Sequence, residues 1–95
     1  MIHLSDKELM IIKSILSNYP YQFYVFGSRV TGKQKKYSDL DLCYKEAIPD
    51  AIISKIREAF EESNLPFKVD LLSWDRCDSE FRKNIEKDLI KMEDV

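Results

Sequence analysis

Asp39 and Asp41 stand two residues apart in the run Ser38-Asp39-Leu40-Asp41-Leu42. On a strand each residue rises about 3.3 Å and alternate side chains share a face, so the two Cα atoms lie about 6.6 Å apart with both carboxylates on one side. Two acids so placed can converge on one cation. Asp70 is a third acid, set between Val69 and Leu71 in a second apolar run. Three carboxylates drawn together repel one another unless divalent cations neutralise them, and hard oxygen donors select magnesium or manganese over zinc. That constellation suits two-metal phosphoryl transfer. A plainer alternative fits the same letters: acids lining the solvated side of a half-exposed strand.

The chain's two glycines, Gly27 and Gly32, fall within six residues of each other, directly after an aromatic run. A glycine at a strand end lets the backbone approach a ligand closely, and the N–H groups of Ser28 and Arg29, opening a short helix, would then cradle a phosphate. An ordinary tight turn is the competing explanation. Arg29, Lys33, Lys35 and Lys36 lie on the same loop; their charge would offset a triphosphate, although a lysine run on a loop is more often simply solvated.

Other chemistries lack their parts. His3 is the sole histidine, so neither a histidine-based zinc site nor a Ser-His-Asp triad can be assembled. Cys43 and Cys77 fit no disulfide framework and no C-x-x-C motif, and Cys43 has no adjacent base to activate it. Tyr21, Phe23, Tyr24 and Phe26 read as sheet packing rather than a base-stacking platform. Trp74, just past a strand-like run, suits either a cap on the core or a contact with nucleotide or partner.

The elements that must carry these residues follow from periodicity. Ser5 and Glu8 have capping-box spacing, and Leu9, Ile12, Ile15 and Leu16 recur at helical intervals, which predicts a first helix over 6–18. Residues 21–26 form a first strand, 27–38 a loop with room for a short helix, and 39–44 a second strand with Leu40, Leu42 and Tyr44 turned to the core. Pro49 opens a helix over 50–63, with Ile52, Ile53, Ile56, Ala59 and Phe60 as its apolar stripe. Phe67, Val69 and Leu71 alternate as a third strand with Asp70 on the opposite face. Phe81 and Ile85 mark a short surface helix from Asp78 to about Lys87, after which Leu89 to Met92 either prolongs it or adds an edge strand. The order implies an α+β fold in one domain, residues 1–95.

Composition narrows the class. Ninety-five residues suffice for one core but not for separate catalytic and substrate-selecting domains. A hydrophobic fraction of 44% is too high for a disordered chain. A net charge of −2 argues against direct nucleic-acid binding through a general basic field. With no membrane-length apolar run and no signal-peptide pattern, a cytoplasmic protein is expected.

The run GSRVTGKQKKYSDLDL, residues 27–42, together with the later strand aspartate Asp70, resembles the DNA polymerase β-like nucleotidyltransferase superfamily. Within it the run is similar to the minimal nucleotidyltransferases, MntA-like antitoxins encoded beside HEPN-domain toxins. The resemblance implies a mixed-sheet, palm-like core. It also implies that Gly27, Ser28 and Arg29 bind the nucleotide triphosphate, that Asp39 and Asp41 hold the metal, and that Asp70 is the third acid, assisting deprotonation of the attacking hydroxyl. The implied cofactor is Mg2+, with Mn2+ as an alternative, and the implied substrate is ATP. The implied reaction is transfer of AMP to a hydroxyl, a tyrosine in particular, of a HEPN toxin partner. Two other outcomes stay open: an antitoxin that neutralises by binding alone, and a nucleotidyltransferase acting on RNA or a small molecule. One departure from the family pattern is Lys87-Asp88-Leu89-Ile90, where relatives often carry a glycine after the last helix.

Overall fold

A computed structural model describes residues 2–95. Helix α1, Asp6–Leu16, opens with a complete capping box: the Ser5 hydroxyl accepts from the Glu8 amide at 3.1 Å and the Ser5 amide donates to the Glu8 carboxylate at 2.9 Å. It ends two residues before the expected limit because the Asn18 and Tyr19 amides fold back on the Ile15 and Leu16 carbonyls, tightening the last turn ahead of Pro20. Strand β1 is Phe23–Phe26. Tyr21 and Gln22, expected in it, lie outside: the Tyr21 amide closes a turn on Tyr19, and the Gln22 amide donates to the Glu46 carboxylate.

Helix α2 is a single turn, Ser28–Thr31, and strand β2 is Leu40–Tyr44, so Asp39 sits immediately before the strand rather than in it. Helix α3, Asp50–Glu61, starts after Pro49 and also stops two residues early, where the Ser63 hydroxyl donates to the Phe60 carbonyl at 2.6 Å. Strand β3 runs Val69–Ser73, and Phe67 precedes it. A 3-10 turn, Trp74–Arg76, leads to helix α4, Ser79–Glu86, capped by the Asp78 carboxylate on the Phe81 amide. The open question at the C-terminal end resolves as a two-residue edge strand, β4, Ile90–Lys91.

The four strands form a mixed sheet in the order β3-β2-β1-β4. Strand β1 pairs antiparallel with β2 and β4, whereas β2 and β3 run parallel because α3 carries the chain across between them. Alternation sorts the side chains. Phe23, Val25, Leu40, Leu42 and Leu71 meet Ile12 and Leu16 of α1 and Ile53, Ile56 and Phe60 of α3 in one core. Each fully buried aliphatic side chain there contributes about 1.5–3 kcal/mol. Tyr24, Phe26, Asp41, Cys43, Asp70 and Leu72 are left to the second face, where α4 covers only part, setting Phe81 edge-on to Phe26 with centroids 6.0 Å apart. The architecture is α+β, as the sequence pattern implied. No helix among the described residues is long and apolar enough to cross a membrane.

Candidate active site

The second face of the sheet is organised in rows set by strand register. Phe26 of β1 opposes Asp41 of β2, which opposes Asp70 of β3. Adjacent strands lie about 4.8 Å apart, so Asp41 and Asp70 are direct lateral neighbours despite their distance in sequence. Asp39, immediately before β2, lies close enough for its charge to act on the Asp41 carboxyl. The structure therefore brings all three acids to one end of the sheet. Asp39 and Asp70 are exposed; Asp41 is half-buried.

Gly27 follows β1 and closes over Asp41. Its backbone has φ 84° and ψ −157°, a region that side chains other than hydrogen essentially do not occupy. A Cβ there would also run into the Asp41 carboxylate oxygen. Glycine is thus required twice, by conformation and by the approach of the acid. The chain then turns into α2, where the Gly27 carbonyl accepts from Val30 and Thr31. The preceding amides, on Ser28 and Arg29, have no backbone acceptor among the described residues.

Burial first, then the charge of Asp70, then that of Asp39, push the Asp41 carboxyl up from 3.8 to about 6. No basic side chain relieves it: among the described residues the one ion pair, Arg76 with Asp50, lies on the exposed surface. Among the described residues no three His, Cys, Asp or Glu side chains are grouped closely enough to hold a metal ion. The donors are all carboxylate oxygens, which fits a hard divalent cation of the magnesium or manganese type, and a half-buried uncompensated carboxylate is what such a cation would stabilise.

Arg29 departs from expectation. Its side chain is 4% exposed and turns inward. Nε and one terminal nitrogen donate to the Ser38 carbonyl at 3.1 and 2.8 Å, the other terminal nitrogen donates to His3 at 3.0 Å, and the guanidinium stacks 4.0 Å over Phe67. The expected contact between this side chain and nucleotide is corrected to an internal clamp that holds the peptide just before Asp39. Only the Arg29 backbone amide remains at the α2 opening. Lys33, Lys35 and Lys36 are exposed on the loop, with Lys36 stacked on Tyr37.

Cys43, one row along from Asp41, is fully buried, and burial pushes its thiol up to about 11, which leaves it inert. Trp74 is half-buried, with the Lys45 ammonium 4.8 Å from both its ring and that of Tyr24, while Arg82 donates to its carbonyl at 2.8 Å. Lys45 and Arg82 went unread in the sequence. The available signal for Lys45 was parity, since 41, 43 and 45 share one face; Arg82 carried none.

Residues 11–94 match the family model described as Polymerase beta, Nucleotidyltransferase. The chain is 43% identical over 90 residues to the probable protein adenylyltransferase MntA of Haemophilus influenzae, covering 90% of this chain and 79% of that protein. It also superposes on a chain of a crystal structure of a toxin-antitoxin with AMP-PNP, with a TM-score of 0.65 and 20% identity, over 88% of this chain and 71% of that one. At that identity the likeness is one of fold.

Proposed function

The chain belongs to the polymerase β nucleotidyltransferase family, and from that premise we propose that it is the antitoxin of a toxin–antitoxin pair, a protein adenylyltransferase moving AMP from ATP to a tyrosine hydroxyl of a HEPN-domain toxin. The observation that carries this reading is the cross-strand pair Asp41–Asp70, uncompensated and half-closed beneath Gly27. The 43% identity to a probable protein adenylyltransferase supports protein as the acceptor class.

In this reading Asp39, Asp41 and Asp70 hold Mg2+, or Mn2+ in its place. The bound cations would neutralise charge developing on the α-phosphate and on the departing pyrophosphate. The chain's own residues do the rest. Gly27 lets a phosphate approach the main chain without a Cβ in the way, and the Ser28 and Arg29 amides with the Ser28 hydroxyl donate to its oxygens. Asp70, the outermost acid of the row, accepts the proton as the acceptor oxygen attacks the α-phosphorus; the P–O bond to pyrophosphate breaks and AMP remains on the hydroxyl. The Arg29 clamp keeps Asp39 in place.

The test is the intact mass of the HEPN toxin after incubation with ATP, magnesium and either wild-type chain or the Asp39→Asn/Asp41→Asn double variant. A gain in whole AMP increments with wild type alone supports the reading. Neutralisation of the toxin by both proteins with no mass gain would replace it with an antitoxin that acts by binding.

A further inference from the structure

Strand β3 is the one long open edge of the sheet, for the opposite edge, β4, is two residues long and runs straight into a 3-10 turn. The direction of its free groups follows from the ladder. The Leu40 amide donates to the Lys68 carbonyl, and with the parallel register this turns the N–H and C=O of Asp70 and Leu72 toward β2. Those of Val69, Leu71 and Ser73 point outward. The Leu71 carbonyl is covered by Arg57 of α3 at 3.0 Å, while the outward amides of Val69 and Leu71 meet no acceptor among the described residues.

Along this edge lies a cavity of about 520 Å³, floored by Phe60 and Glu61 of α3 and by every residue from Phe67 to Leu72. Lining by consecutive residues of a strand means that core-side and site-side side chains both contribute, so the cavity follows the backbone edge rather than one face. Proteins ordinarily blunt such an edge. Here two carbonyl contacts do so, Arg57 on Leu71 and the Cys77 thiol on Ser73, neither of which occupies the Val69 and Leu71 amides, and the cavity beside the edge includes Asp70.

We propose that this edge is the acceptor-docking site: an extended segment of the acceptor protein adds as a fifth strand beside β3, bonding to the outward groups of Val69 and Leu71. The proposal rests on the adenylyltransferase reading and names how that site meets its substrate. Alternating outward donors and acceptors at peptide spacing recognise a polypeptide main chain; a nucleic-acid strand offers no matching series. Arg57 and Lys68 against Glu61 and Asp70 leave the cleft without net charge preference, consistent with recognition through the backbone. In the added strand, the residue opposite Asp70 extends the Phe26–Asp41–Asp70 row, and its side chain falls on the acid face. Docking therefore sets a hydroxyl beside Asp70 by register.

Amide hydrogen exchange of the chain, alone and with the HEPN toxin, tests this, run on the Asp39→Asn/Asp41→Asn variant so that no transfer intervenes, with the mass assay on wild type in parallel. Toxin should slow exchange at Val69 and Leu71 by at least tenfold and leave Asp70 and Leu72, already in the ladder, little changed. Transfer without that protection overturns the edge site and leaves the enzyme reading intact. Protection without transfer keeps the edge site and overturns the enzyme reading. Absence of both overturns both, and protection that grows with concentration in the chain alone assigns the edge to self-pairing and overturns the proposal. Val69→Pro removes one outward donor at an edge position that tolerates proline; it should raise KM for toxin at least tenfold with ATP binding unchanged, and an unchanged KM in a folded variant would likewise overturn the proposal.

Discussion

Asp41→Asn should make the metal-free protein more stable while abolishing transfer. The wild-type carboxyl is raised from 3.8 to about 6 by burial, Asp70 and Asp39, a difference of about 3 kcal/mol between its two protonation states taken at face value. The group is half exposed, and solvent screening brings the figure down to about 1–2 kcal/mol. Because the folded value lies above the unfolded one, the folded state binds the proton more tightly. The charge therefore costs nothing below about pH 3.8, costs progressively more as pH rises to about 6, and costs the full amount above that. Asparagine keeps the shape and removes the charge. For a domain of this size the gain corresponds to roughly 5–10 °C in melting temperature at pH 7.5 without divalent cations. Thermal melts by circular dichroism, wild type against variant, should show this difference shrinking steadily between pH 6 and pH 4. Magnesium should raise the wild-type melting temperature and leave the variant unmoved. A variant that melts at or below wild type at pH 7.5, or a difference that does not vary with pH, would refute the claim that Asp41 is an uncompensated charge held for a cation.

Two further substitutions test the frame around that acid. Gly27→Ala forces a Cβ into a glycine-only conformation and against the Asp41 carboxylate; urea denaturation should show a loss of about 1–3 kcal/mol, and transfer should fall more than stability accounts for, since the corner proposed to receive phosphate is displaced. Arg29→Lys preserves charge yet cannot bridge the Ser38 and His3 carbonyls together; a cost of about 1–3 kcal/mol in urea, with weakened magnesium binding by calorimetry, is the expected pair of results, and unchanged magnesium affinity would restrict Arg29 to folding alone.

What the sequence disclosed was local. The capping box at Ser5 and Glu8 and the alternation that buries Leu40 and Leu42 while turning Asp41 outward are written within a few residues, and the structure bears them out. Helix ends were harder, because whether Ser17 and Ser63 extend a helix or cap it depends on hydroxyl and amide geometry that composition does not encode. The Asp41–Asp70 register could not be read at all: it is fixed by how α3 lays β3 against β2, a packing outcome of Ile53, Ile56 and Phe60 on the core. Arg29 misled for the same reason. A basic residue after a glycine near two acids suggests phosphate, and only the burial of the loop against Phe67 shows the guanidinium committed to backbone carbonyls.

The features that define the site are each unfavourable taken separately. Gly27 occupies backbone space open only to glycine, Asp41 holds a charge without a partner, and β3 leaves an edge whose Val69 and Leu71 amides meet no acceptor among the described residues. The charge and the open edge could each be removed by a single substitution, whereas Gly27 is required by its own backbone conformation and by the Asp41 carboxylate packed against it. All three lie within one row and one turn of one another, and each is relieved by a different component of the proposed reaction. In the proposed reaction a phosphate would bond the Ser28 and Arg29 amides that follow Gly27, a divalent cation would offset the carboxylates, and a peptide strand would cover the edge. Clustered liabilities with complementary remedies are difficult to explain by chance placement on a fold of 95 residues. They also impose an order of dependence. The acids can draw together only once a cation offsets their repulsion, so cation should tighten nucleotide binding, whereas docking at the edge uses groups outside the acid cluster and should proceed without either.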